Sequence, residues 1–198
     1  MIGFIFTQER WSYSADEMEK TSINGQEVRR LNENVRFVKS DKIILTNHAS
    51  QYIKEDVLHL NGNTMMISGL DTLTCDSMVY WSKLDSIYAM GEIRYVHGPN
   101  RGMFGDVMEI QYEDSLVKMI RVLKNAFAYN DLNLRINIDG PYLHFRDEMT
   151  SKEMIAYFEG EYISHLKLIN MARTTYHVVD DSLLAGENDV SGDTIRVD

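Results

Sequence analysis

Two near-copies of one pattern constrain this chain more than any other feature. The first reads Asn34-Val35-Arg36-Phe37, then Ile43-Ile44-Leu45, then Ala49-Ser50-Gln51-Tyr52. The second reads Asn63-Thr64-Met65-Met66-Ile67, then Asp71-Thr72-Leu73-Thr74, then Ser77-Met78-Val79-Tyr80. Asn34 and Asn63 lie 29 residues apart, and Tyr52 and Tyr80 lie 28 apart. A period of this size marks a stack of small repeated units. Looser copies follow. Gly91-Glu92-Ile93 takes the place of Gly62-Asn63-Thr64, and Asn125-Ala126-Phe127 and Asn170-Met171-Ala172 open further units. Glu92 stands where the pattern has Asn, and the later units are stretched.

Within each unit apolar and polar residues alternate over short runs. Leu58 and Leu60 flank His59, Leu73 and Cys75 flank Thr74, and Ile87 and Ala89 flank Tyr88. Alternation of this kind predicts strands with one buried and one wet face. Polar turn signals such as Ser40-Asp41-Lys42, Asn61-Gly62-Asn63 and Glu113-Asp114-Ser115 separate the runs. A unit of two short strands cannot bury its apolar face alone, so neighbours must stack. The expected fold class is all-β: a repeat-built, open antiparallel sheet, elongated and slightly twisted. Residues 26–198 form the repeat domain. Residues 1–25 are an N-terminal segment, read either as a truncated export signal, from the apolar start at 1–8, or as a first strand. Residues 15–20 fit one helical turn, and 13–18 also fit the remains of an earlier closing segment.

Charge narrows the partners. Thirty acidic residues against twenty basic ones give a net charge of −10. That argues against a nucleic-acid ligand, which needs a basic surface. It also argues against docking on an anionic membrane through charge. The single cysteine, Cys75, sits on the apolar parity of its strand and reads as a small core residue.

No catalytic, cofactor or metal constellation emerges from the motifs. The six histidines lack metal-ligand spacing, and His59 and His177 read as outward-facing strand positions. The acidic pairs Asp147-Glu148, Glu159 with Glu161, and Asp180-Asp181 sit in expected turns, where a hydrolytic carboxylate pair is poorly placed. What remains is the apolar inner face. Ten of the chain's twelve methionines are spread through the units, Met103 and Met149 among them, and would make a soft lining suited to flexible apolar ligands.

Asn34-Val35-Arg36-Phe37, Leu60-Asn61-Gly62-Asn63-Thr64 and Asp71-Thr72-Leu73-Thr74-Cys75-Asp76 resemble the repeats of OstA-like proteins, the periplasmic lipopolysaccharide-transport superfamily. The segment from Ala172 through Gly192-Asp193-Thr194-Ile195 resembles the C-terminal part of the longer members. The resemblance implies a β-jellyroll in the periplasm with an apolar interior. Acyl chains of lipopolysaccharide would slide along it, and copies or related proteins would join by edge-strand pairing. The expected activity is carriage of lipid toward the outer membrane, without enzymatic chemistry and without a cofactor. The residues expected to line the lipid groove are Val35, Phe37, Ile43, Leu45, Leu58, Leu60, Met65, Ile67, Leu73, Ile87, Ile93, Tyr95 and Ile110. Two alternatives stand beside this: a polysaccharide-active enzyme on a β-solenoid, and a self-assembling scaffold of bactofilin type.

Overall fold

The repeat marks a corner in the backbone. In the computed structural model, which describes residues 11–160 and 162–197, each unit-opening position has a positive φ. The values are 50° at Asn34, 50° at Asn63, 39° at Glu92, 53° at Asn125 and 61° at Asn170. Each belongs to a left-handed pair: Glu33, Gly62, Gly91 and Lys124 precede the first four, and Met171 follows Asn170. Asparagine and glycine reach this region most easily, which is why the motif uses them. Each left-handed pair bends its strand sharply. At the first four corners an acidic or amide residue earlier in the chain faces the pair: Asp16, Asn47, Asp76 and Asp106. Asn34 Nδ2 donates to Asp16 Oδ2 at 2.6 Å, and Asn125 Nδ2 donates to Asp106 Oδ2 at 3.0 Å.

The third unit tightens the same corner. A Cβ added to Gly91 would lie 2.1 Å from Asp76 Oδ2, with the backbone at φ +77°. Gly91→Ala is therefore expected to cost at least ~2 kcal/mol, from left-handed strain and the displaced carboxylate. A urea titration would show it, and an unchanged midpoint would discount the corner.

The described residues form twelve strands: β1 (Ser12–Ser14), β2 (Glu17–Ile23), β3 (Gln26–Lys39), β4 (Lys42–Tyr52), β5 (Val57–Ser68), β6 (Asp71–Trp81), β7 (Ser86–His97), β8 (Arg101–Glu113), β9 (Leu116–Leu134), β10 (Leu143–Glu159), β11 (Tyr162–Asp180) and β12 (Leu183–Val197). They make one antiparallel sheet in chain order from β3 to β12, with β1 and β2 both on the outer edge of β3. The fold is all-β, antiparallel and built from repeats, as the alternation requires. Residues 15–20 do not form a helical turn. Ser12 to Ile23 run as one interrupted strand along β3, and the Asp16 N–H donates to the Glu33 carbonyl at its corner. The apolar start at 1–8 and Glu161 lie outside the described residues.

Because every long strand bends, the single sheet becomes two facing layers. Layer one holds the arms that meet at the 40–41, 69–70 and 98–100 turns. Layer two holds the arms that meet at the 53–56, 82–85 and 114–115 turns. One continuous core lies between them, from Leu31 and Phe37 through Leu58, Tyr80 and Ile110 to Leu168. The stretched units reflect longer strands: β4 has 11 residues, whereas β9 and β11 have 19 each.

Candidate functional site

The layers meet differently along their length, and that difference makes the site. From β3 to β8 the rim where the turns converge is latched. Lys42 opens β4 in layer one, and its ammonium donates to Asp85 Oδ1 in a layer-two turn at 2.7 Å. Tyr80 donates its hydroxyl to the same oxygen at 2.5 Å. The Lys42 side chain is only 6% exposed and lies 4.2 Å over the Tyr112 ring. A buried ammonium is tolerable only with such partners. Trp11 caps the end of this stretch. It packs edge-on against Phe37 and Tyr80 and donates its indole N–H to Ser82 Oγ at 2.9 Å.

Three tyrosine hydroxyls in this rim are held un-ionised. Burial, reinforced by Asp85, pushes Tyr80 well above the ordinary tyrosine value. Burial and then Asp71 do the same for Tyr95 and for Tyr112. The unfolded chain ionises near the ordinary value of ~10, so the stabilisation is complete below that pH and is lost as pH rises beyond it. An alkaline titration followed by tyrosinate absorbance should leave three of the eleven tyrosines silent until the fold collapses. Eleven tyrosines ionising together near the ordinary value would contradict the latch.

Beyond β8 the layers part. A cleft of about 320 Å³ opens between them. Met103, Ala128 and Met149 line it from layer one, and Phe158, Ile163 and Leu166 line it from layer two. His97, Arg101 and Asp147 stand among its polar residues. Pockets for small ligands start at about this size. A second opening at the turn rim, between Asp71 and Val117, shares Tyr95, His97 and Phe158 with it.

Of the thirteen expected groove residues, only Tyr95 borders this cleft. Eight others are buried in the closed core: Val35, Phe37, Leu58, Leu60, Leu73, Ile87, Ile93 and Ile110. The remaining four, Ile43, Leu45, Met65 and Ile67, are turned to the outer face of layer one. Their inner-facing neighbours are Lys42, Ile44, Thr46, Thr64, Met66 and Ser68. On these arms the outward parity is the more apolar one, so alternation points to the wrong face. Hydrogen bonds set the right one. Thr46 Oγ1 and Thr64 Oγ1 meet at 3.0 Å, Ser68 donates to Asp41 at 3.3 Å, and Lys42 reaches Asp85. Met103 and Met149 of the expected methionine lining do reach the cleft. Phe158 and Leu166 lie in units too stretched for the repeat to locate them.

His177 also departs from its expected exposed position. Its side chain is 6% exposed, Nδ1 lies 2.9 Å from Asp147 Oδ1, and its backbone N–H donates to the same oxygen at 2.8 Å. Phe145 packs 5.1 Å from the ring. Asp147 lines the cleft while Glu148 alternates to the other face, so the two carboxylates do not converge. Among the described residues, no group of three His, Cys, Asp or Glu side chains is arranged to hold a metal ion. Cys75 is buried, and desolvation followed by the Asp76 charge pushes its thiol up to about 12. It is expected to resist alkylation at pH 8 until the protein unfolds, which a thiol-labelling time course would check, because the thiolate is the reactive species.

No family model matches the chain, and no curated protein matches it. Among solved structures, the crystal structure of LptH, the LptA-homologous periplasmic component of the lipopolysaccharide transport device from Pseudomonas aeruginosa, is similar over 55% of this chain and 80% of its own. The TM-score is 0.49 and the identity 10%.

Proposed function

We propose that this chain is a non-enzymatic lipid carrier that holds acyl chains of lipopolysaccharide in the cleft between its layers. The observation that carries the reading is the cleft's lining. Met103, Met149, Phe158, Ile163 and Leu166 offer apolar, adaptable walls, and polar groups stand among them. Each methylene buried there gains ~0.8 kcal/mol. The repeat resemblance to OstA-like proteins supplies the ligand class, the periplasmic setting and related proteins as partners. Past Leu184, whose N–H donates to the Arg135 carbonyl, the edge strand β12 pairs with no further strand among the described ones, a template for strand addition by such a partner.

Photo-crosslinking tests it. A photoreactive residue at Ile163, which is already 42% exposed, is expected to capture labelled lipopolysaccharide. The same probe at His59, on the outer face of layer two, should not. Met149→Trp narrows the cleft and should lower capture at Ile163 at least tenfold. Equal labelling at both positions, or capture indifferent to Met149→Trp, would remove the proposal.

A further inference from the structure

The inner wall of layer one changes character within one step. Across β6 to β10 the register aligns Leu73, Tyr95, Met103, Ala128 and Met149 in an apolar row. Two residues nearer the turns, ~6.8 Å along the strands, it aligns Asp71, His97, Arg101, Asn130 and Asp147. The cleft takes its wall from both rows, so it is apolar on one side and polar toward the turns. The second opening, of about 250 Å³, extends the polar side past Tyr95 and His97 to Asp41, Ser68, Asp71 and Ser115. Leu70 and Leu116 stand exposed among its lining.

Size limits what the apolar side can take. A water-sized group, and a methylene is about that size, occupies ~30 Å³. The cleft's 320 Å³ therefore holds roughly ten methylenes, one acyl chain and not a bundle of them. Charge limits what the chain can hang from. Among the described residues that line the second opening there is no lysine or arginine. The cations nearby are engaged: Lys42 by Asp85, Lys118 by Glu113, and Arg101 by a partner of its own. Asp71 meets His97 at 2.7 Å, Asp147 meets His177 at 2.9 Å, and Asp41 is met by a neutral donor, Ser68. After burial, the charges that hold the Tyr112 hydroxyl un-ionised come from Asp71, Asp85 and Asp41, three carboxylates gathered about the Lys42 ammonium.

We infer that the cleft and the second opening form one two-part site for a single acyl chain whose polar root donates hydrogen bonds and carries no negative charge. A sugar hydroxyl and an ammonium group share that chemistry. The inference rests on the cleft's taking an acyl chain, as proposed above, and adds how many chains and what they hang from. Ionised carboxylates only accept hydrogen bonds, so a hydroxyl or ammonium completes them. A phosphate or sulfate brings more acceptors and like charge, which selects against it.

Titration calorimetry of the full chain with decyl maltoside, decylammonium and decyl sulfate, each below micelle formation, tests this. The maltoside and the ammonium are expected to bind one per chain, and the sulfate at least tenfold more weakly than either. Met149→Trp should weaken all three alike. Asp41→Asn should narrow the gap between ammonium and sulfate at least threefold and leave the maltoside unchanged. That variant moves the net charge by one unit from −10, so such a narrowing reports the local site. A sulfate that binds as tightly as the other two, or two chains bound per protein, overturns the inference while the cleft remains a lipid site. A gap indifferent to Asp41→Asn overturns the assignment of the polar root to the second opening. If none of the three binds, the inference falls, and capture of lipopolysaccharide at Ile163 decides separately whether the carrier reading falls with it.

Discussion

Leu60→Asp is expected to leave the chain unfolded, rather than folded with a spoiled cleft. Leu60 is 2% exposed and belongs to the continuous core between the layers. Removing a buried leucine costs ~2–5 kcal/mol by itself. The new carboxyl adds the cost of burying a polar group without a partner, ~1–3 kcal/mol even if it stays protonated. The sum approaches the ~5–15 kcal/mol that holds a typical domain together. Far-UV circular dichroism and a urea titration would show the loss. A cooperative transition at the parent midpoint would mean that layer two admits water at Leu60, contrary to the closed core.

Lys42→Met is expected to destabilise the fold by about 2–4 kcal/mol. The loss comes from stranding Asp85 after its ammonium partner is gone. Asp85 keeps the Tyr80 hydroxyl and is 30% exposed, which holds the cost below that of a fully buried orphan. The double variant Lys42→Met/Asp85→Leu should recover much of it, because an apolar pair can replace a buried ion pair without penalty. Chemical denaturation of the parent, both single variants and the double variant gives the coupling directly. Additive losses would show that Lys42 and Asp85 act independently and that the latch is an accident of packing.

The corner was legible before any coordinates, as a recurring Asn or Gly-Asn at a spacing of 29 residues. Its meaning was not. The residues that open each unit are bends within strands, not starts of strands, and only backbone dihedrals reveal that. Strand type and antiparallel pairing followed from alternation in β5, β6 and β7, where one parity is clearly apolar. In β4 and the second arm of β5 the outward parity, Ile43, Leu45, Met65 and Ile67, is the more apolar, and the inward one holds Lys42, Thr46, Thr64 and Ser68, which find partners inside: Thr46 and Thr64 each other, Ser68 the Asp41 carboxylate, and Lys42 Asp85 in the other layer. Partners 18 to 43 residues away in the chain leave no local trace in the sequence. The cleft was harder still. It depends on where the layers separate, which the long arms of β9 to β11 decide, and only the methionines hinted at its lining.

The strand order carries one more consequence. From β3 to β12 every strand pairs with its neighbour in the chain, so hairpins can zip outward from any starting turn over short loops. Such assembly is fast and nearly one-dimensional, each added arm templating the next. The latch is different, because Lys42 and Asp85 are 43 residues apart. Its closure must await the arms between them, which makes sealing of the rim a late event in folding and the first to be undone.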